Sequence, residues 1–253
     1  MAEMVNSLNY EYFSSYIRSL PEWETLKVLD YGCGRGEVVE LMRKQGIDAV
    51  GCDVFYEGSF TDFQAPEFVH RIDEKSPLPF GDQAFDVILA NQVFEHIDDF
   101  QAVLDRLHRV LKDDGHMLLH FPSREVIREG HIGLPFVHWM RAGSKLRFLF
   151  VLLLRRAGFG YFKDSRTPRE WTRAQLEWVD RYCFYKPYRR IRALFERQFT
   201  IEHNELQYIR YRVSGNAIVR TLLRVPGGKW MLARLFRRLA FIAVILRKRV
   251  RGR

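Results

Sequence analysis

The chain has 253 residues, 47% hydrophobic and 28% charged, enough for one catalytic-sized α/β domain with a sizeable core plus an insertion or tail. Its net charge of +9 is unevenly placed: residues 214–253 hold eleven of the 40 Lys and Arg and no Asp or Glu, leaving 29 basic against 31 acidic side chains before them. So nearly neutral a body argues against a protein that grips nucleic acid across its active face, and three scattered cysteines with no early apolar segment argue for a reduced cytoplasmic setting rather than a disulfide-built secreted one.

In chain order, Leu8 to Leu20 places Tyr12, Phe13, Tyr16, Ile17 and Leu20 at helical spacing, and Pro21 ends the run. Core packing accounts for those aromatics. Lys27 to Tyr31 reads as a buried strand that breaks into Gly32-Cys33-Gly34-Arg35-Gly36 and then a helix, Glu37 to Gln45. Glycines there allow positive φ and a close backbone approach to a ligand. The spacing departs from the Gly-x-Gly-x-x-Gly of dinucleotide sites, and Glu37 at the head of the helix disfavours a phosphate.

Ala49 to Asp53 is a second strand ending in an acid, where a carboxylate can accept both hydroxyls of a ribose. Phe68 to Arg71 is a third strand, followed by Asp73, Glu74 and Leu78-Pro79-Phe80. Phe85 to Ala90 is apolar on both faces, like a central parallel strand, and leads into Asn91 to Ile97. Phe100 to Leu111 is a helix closed by Lys112 to Gly115, and His116 to Phe121 is a fifth strand.

Asp30-x-Gly32-x-Gly34-x-Gly36 with Asp53, Asp73 and the Asn91 to His96 segment resembles the class I S-adenosylmethionine (SAM) methyltransferases over roughly residues 25 to 122. The resemblance implies a Rossmann-like α/β fold: a seven-stranded, mainly parallel sheet with helices on both faces, an inserted substrate region and a basic C-terminal helix. It also implies SAM as cofactor. Asp30 and the glycine turn would serve its methionine end, Asp53 its ribose, Asp73 (with Glu74 as second choice) its adenine, and Asn91 would open the segment beneath the methionine. The family's closing hairpin is expected from Phe199 to His203 and Gln207 to Val213, after a helix Tyr188 to Phe195.

The insertion, about 123–198, should carry substrate identity. Its Gly130 to Trp139 stretch holds His131 and His138 among prolines and aromatics. With His96 they are candidates for the base that takes a proton from a hydroxyl acceptor. Glu95-His96 with a later histidine is similar to ligand sets of some metal-assisted O-methyltransferases, but Gln92 stands where those have Glu, and no metal is expected. Leu146 to Arg156 is far too short to span a bilayer. Trp171 to Trp178 opens a helix with Thr172 as cap.

The boundary is drawn after 213. Beyond it, Val225-Pro226-Gly227-Gly228 breaks the chain, and 229–250 reads as a basic apolar helix lying at an anionic membrane surface. These features predict a SAM-dependent methyltransferase, cytoplasmic and peripheral at the inner membrane face, O-methylating a hydroxyl of a glycan or lipid-linked saccharide, with a small-molecule or lipid-linked saccharide substrate as its partner. The alternatives are a quinone-pathway phenol as acceptor, an RNA methyltransferase, and a non-catalytic membrane adaptor.

Overall fold

The computed structural model describes residues 2–55, 64–213 and 215–249. Helix α1 (Ala2–Arg18) buries Tyr12, Phe13, Tyr16 and Ile17, the aromatic stripe read from the sequence. Strand β1 (Lys27–Tyr31) then leads through the glycine turn into α2 (Glu37–Lys44), and β2 (Asp48–Asp53) and β3 (Val69–Arg71) follow. Strand β4 (Phe85–Asn91), α3 (Phe100–Val110) and β5 (Leu111–Phe121) complete the parallel part. Asp99 caps α3 by accepting from the Ala102 N–H at 3.1 Å.

The insertion carries a two-stranded ribbon, β6 (Arg128–Glu129) with β7 (Leu134–Pro135), and helices α4 (Lys145–Arg156), α5 (Pro168–Tyr182) and α6 (Tyr188–Phe195). Thr167, not Thr172, caps α5: its hydroxyl and the Glu170 carboxylate form a reciprocal capping box, whereas Thr172 lies inside the helix and donates to the Pro168 carbonyl. Ile132, Leu134, Val137, Val151, Trp171, Leu176 and Val179 give the insertion a core of its own.

Strand β8 (Phe199–His203) forms as expected, but its partner does not come from Gln207 to Val213, which lie in or beside helix α7 (Glu205–Arg212). After α8 (Ala217–Arg224) and α9 (Gly228–Leu239), the chain returns as β9 (Ile242–Lys248). The seven-stranded sheet runs β3-β2-β1-β4-β5-β9-β8, with β9 antiparallel to both neighbours. The boundary after residue 213 and the continuous tail helix are therefore corrected: α9 is helical, but Phe241 to Leu246 are buried in the sheet, each no more than 5% exposed. An apolar run filling the space between two strands is held by core burial and ladder hydrogen bonds, not by lipid.

One core, with α3 and α6, covers one face of the sheet; a second, with α1, α2 and Tyr208 of α7, covers the other. Strand order reverses between β1 and β4, opening a crevice at their carboxyl ends. Because β9 fills the gap between β5 and β8, Val244→Asp should leave an unpaired buried charge in the core. We expect loss of cooperative thermal unfolding by circular dichroism; a melting temperature within a few degrees of the parent would show that β9 is dispensable.

Candidate active site

The glycine turn is fastened to β2 from two sides. The Gly32 and Cys33 N–H groups donate to the Cys52 carbonyl at 2.8 and 3.2 Å, and the Gly34 N–H donates to Asp53 Oδ2 at 2.8 Å. Asp53 Oδ1 accepts from the Phe55 N–H at 2.9 Å. Gly34 has φ +55, and an added Cβ would meet nothing within 4 Å, so the turn is open there. At Gly32 (φ +76) the reason for glycine is different: a Cβ would lie 2.4 Å from Val93 Cγ2, and at Gly36 it would strike Val69. Only the middle glycine leaves room beside the backbone.

Two cavities meet at Gly32. The smaller, about 240 Å³, is lined by Asp30, Gly34, Tyr10, Glu37 and Asn91 among others. The larger, about 770 Å³, runs from Asp53, Ile72 and Glu74 past Val93, His96 and Val103 to Tyr182 and Phe184 of the insertion. Gln92, in the left-handed region at φ +56, turns the chain at the end of β4 and anchors its N–H on the His120 carbonyl at 2.7 Å. That turn brings Val93 against Gly32 and sets His96 on the wall.

Asp30 is 3% exposed, and among the described residues it has no ion pair. Burial, then the neighbouring Asp53 charge, pushes its carboxyl up to about 7. Such a group invites a cation. Asp73 Oδ1 accepts from the Lys75 and Ser76 N–H groups, closing an exposed turn, while Glu74 lines the larger cavity.

The three candidate histidines separate. His96 and His131 meet, Nε2 to Nε2, at 3.2 Å. His131 Nδ1 donates to Glu129 Oε1 at 2.7 Å, and Glu129 also accepts from the Tyr185 hydroxyl at 2.6 Å and the Ile132 N–H at 2.8 Å. Burial opposes charge on both, but the partners together outweigh it: His131, Tyr185 and the Ile132 N–H hold the Glu129 carboxyl down, and the Cys183 thiol with the Glu129 carboxylate holds the His131 imidazole up. His138 lies apart, its ring 4.6 Å from that of Tyr185 and its Nε2 bonded to the Arg124 carbonyl. Of the three only His96 lines the larger cavity.

Both nitrogens of His96 are engaged, since Nδ1 donates to the Tyr182 carbonyl at 2.7 Å. Cys183 Sγ lies 3.7 Å from His131 Nδ1. Cys183 and Tyr185 escaped the sequence reading because nothing in their local pattern ties them to a histidine 52 and 54 positions away, and Glu129, two residues before His131, belongs to no motif that marks it.

A family model described as a methyltransferase domain matches residues 6–197. The chain belongs to the class I SAM-dependent methyltransferases. A ubiquinone biosynthesis O-methyltransferase of Azorhizobium caulinodans is 29% identical to this methyltransferase over 148 residues, 55% of this chain and 58% of that protein. Another, of Pectobacterium atrosepticum, is 26% identical over 215 residues, 80% and 76% of the two chains. Matches to three such curated relatives span about half of their lengths, 58%, 43% and 53%. The crystal structure of a SAM-dependent methyltransferase from Mesorhizobium loti is 18% identical and covers 93% of this chain and 96% of that one, with a TM-score of 0.51, a likeness of fold.

The residues present fit SAM: a glycine turn open at Gly34, a buried carboxylate without a cationic partner at Asp30, and Asp53 at the end of β2. Asp30 also makes a pH prediction for the ligand-free enzyme. Its carboxyl is raised from 3.8 to about 7 on folding, so stability falls as pH rises through that window, and the full cost is present above it. Asp30→Asn should therefore gain up to roughly 4 kcal/mol over the parent at pH 8, shrinking to nothing near pH 4. Urea unfolding at several pH values checks this; a gap that widened towards low pH would refute it.

Proposed function

We propose that this methyltransferase moves the methyl group of SAM to the hydroxyl of a lipophilic phenol, of the kind found in quinone-pathway precursors. When bound, SAM supplies an electrophilic methyl group on a sulfonium. The observation that carries the reading is the continuous cavity from the glycine turn and Asp53 to the insertion, which gives cofactor and acceptor one shared space.

Its wall is built for a flat apolar molecule. Val54, Ile72, Val93, Ile97, Val103, Tyr182 and Phe184 line it, with charged residues such as Asp98, Asp99, Arg106 and Arg181 among the remainder. Such a surface would desolvate the hydroxyls of a saccharide at a cost, whereas an aromatic ring gains from the same contact. The ubiquinone biosynthesis O-methyltransferases among the relatives favour the same acceptor class. The phenol, second choice in the sequence analysis, thus displaces the glycan.

Within this reading Asp30 and Asn91 attract the cationic methionine end, Asp53 holds the ribose, and Glu74 rather than Asp73 flanks the adenine. His96 stands on the wall, and the acceptor's hydroxyl would be oriented by the group that its Nε2 shares with His131. Alignment of that oxygen with the methyl group then governs the rate.

The acceptor's solubility suggests where the enzyme works. On α8 and α9, Ile218, Trp230, Met231, Leu235 and Leu239 are exposed beside Arg220, Arg224, Lys229 and Arg234. Among the described residues no helix is long and apolar enough to cross a membrane. An apolar ridge fringed with arginine fits the headgroup region of an anionic bilayer, and we assign it that role.

Two substitutions divide the chemistry. Asp53→Ala should weaken SAM binding about tenfold to a hundredfold by calorimetry without unfolding the protein. His96→Gln should leave SAM affinity intact and lower kcat on a catechol-type acceptor at least a hundredfold. Unchanged affinity in the first, or unchanged kcat in the second, overturns the corresponding role. For the membrane, Trp230→Glu with Leu235→Glu should abolish flotation with anionic vesicles; flotation equal to the parent's would remove α9 from the contact.

A further inference from the structure

Four side chains converge behind the acceptor cavity that the cofactor bed does not use. The ligating atoms of His96, His131 and Cys183 all lie within 4.8 Å of one another. The two backbone anchors around Cys183 explain its place: the Tyr182 carbonyl accepts from His96 Nδ1, and the Phe184 N–H donates to the Glu95 carbonyl at 2.6 Å. Residues 182–184 are thereby clamped onto residues 95–96, which brings the thiol to 3.7 Å from His131 Nδ1, and a rotation of the Cys183 side chain would carry the sulfur round to the Nε2 side.

The imidazoles are prepared in the manner of metal ligands. Each has its Nδ1 fixed by an acceptor, His131 by the Glu129 carboxylate and His96 by the Tyr182 carbonyl, both at 2.7 Å. That arrangement fixes the tautomer and turns Nε2 outward as the ligating atom. Here both Nε2 atoms turn toward each other and stop at 3.2 Å. Across a tetrahedral zinc ion, two nitrogens each bound at about 2.0–2.1 Å lie roughly 3.3–3.4 Å apart. The gap needs either a shared proton or a cation.

A second observation points to the cation. Glu95 is 1% exposed, and neither carboxylate oxygen has a hydrogen-bond partner among the described residues. It precedes His96 in the chain and its carbonyl accepts from the Phe184 N–H, next to Cys183, so it stands beside the cluster. An unpartnered buried carboxylate next to two imidazoles and a thiol is costly unless positive charge offsets it.

We propose that His96, His131 and Cys183 hold one zinc-class divalent ion at the back of the acceptor cavity, with the Glu95 carboxylate offsetting its charge. Two nitrogens and a sulfur select a borderline-soft ion over magnesium or calcium. Cys183 binds as the thiolate, its proton passing to solvent, and any proton on His131 Nε2 leaves with it. Three protein ligands leave a fourth position open, as in catalytic rather than structural zinc sites. An acceptor oxygen there would become more acidic. The site itself rests on this geometry and not on the identity of the acceptor.

The test uses the full chain, stripped with a chelator and titrated with cobalt(II). One equivalent should produce a thiolate-to-cobalt charge-transfer band and the intense visible bands of a tetrahedral ion, both removed by zinc. Cys183→Ser should lose the charge-transfer band, and Glu129→Gln, whose one bond to the three ligands is to His131 Nδ1, should weaken cobalt binding 10–100-fold. Cooperative melting shows that each variant is folded, and S-adenosylhomocysteine calorimetry reads the cofactor bed separately. A folded parent without the thiolate band, a band that survives in Cys183→Ser, or magnesium binding as tight as zinc would overturn the proposal.

Discussion

The reversal of strand order between β1 and β4 is the constraint on which the molecule depends. Parallel neighbours require crossovers that return on one hand, so the connections from β1 and from β4 leave in opposite directions and a crevice opens between them. The glycine turn occupies one side of that crevice and the Gln92 turn the other. Val93 presses on Gly32 across it, closely enough that a single methyl group would not fit. Cofactor bed and acceptor wall are thus two faces of one contact, and neither can shift without the other.

Asp30 illustrates how such a site trades stability for binding. A carboxylate at the buried end of a central strand, beside a second carboxylate, opposes folding of the empty protein. The same isolation makes it attractive to a ligand that brings positive charge. Glu95, on the insertion side, has a similar character: buried, raised to about 7 by burial, and without a hydrogen-bonding partner for its carboxylate among the described residues. The stability of the sheet's two cores is what permits both.

The parallel half was legible because its signals are local. The apolar run of β1, its glycines, and the acid that ends β2 each announce themselves within a few residues, and the structure places them as read. What was misread depended on distance. Residues 239 to 246 form a short run that is apolar throughout, and such a run has no period to tell strand from helix. The arginines of α9 just before it suggested a continuing basic helix, whereas Ala240 breaks away and β9 enters the core. Cys183 had no pattern to join, because it reaches His131 only after α5 has been packed on the insertion's own core.

Strand β9 also imposes an order on how the chain becomes a protein. Phe121 of β5 pairs with Ile242, more than a hundred residues later, and β8 reaches the sheet only through β9. During synthesis, one edge of β5 therefore remains an unpaired template while the whole insertion emerges, and an open edge of this kind can recruit a foreign strand. The insertion, with its private core, is the part of the chain that is made during that wait.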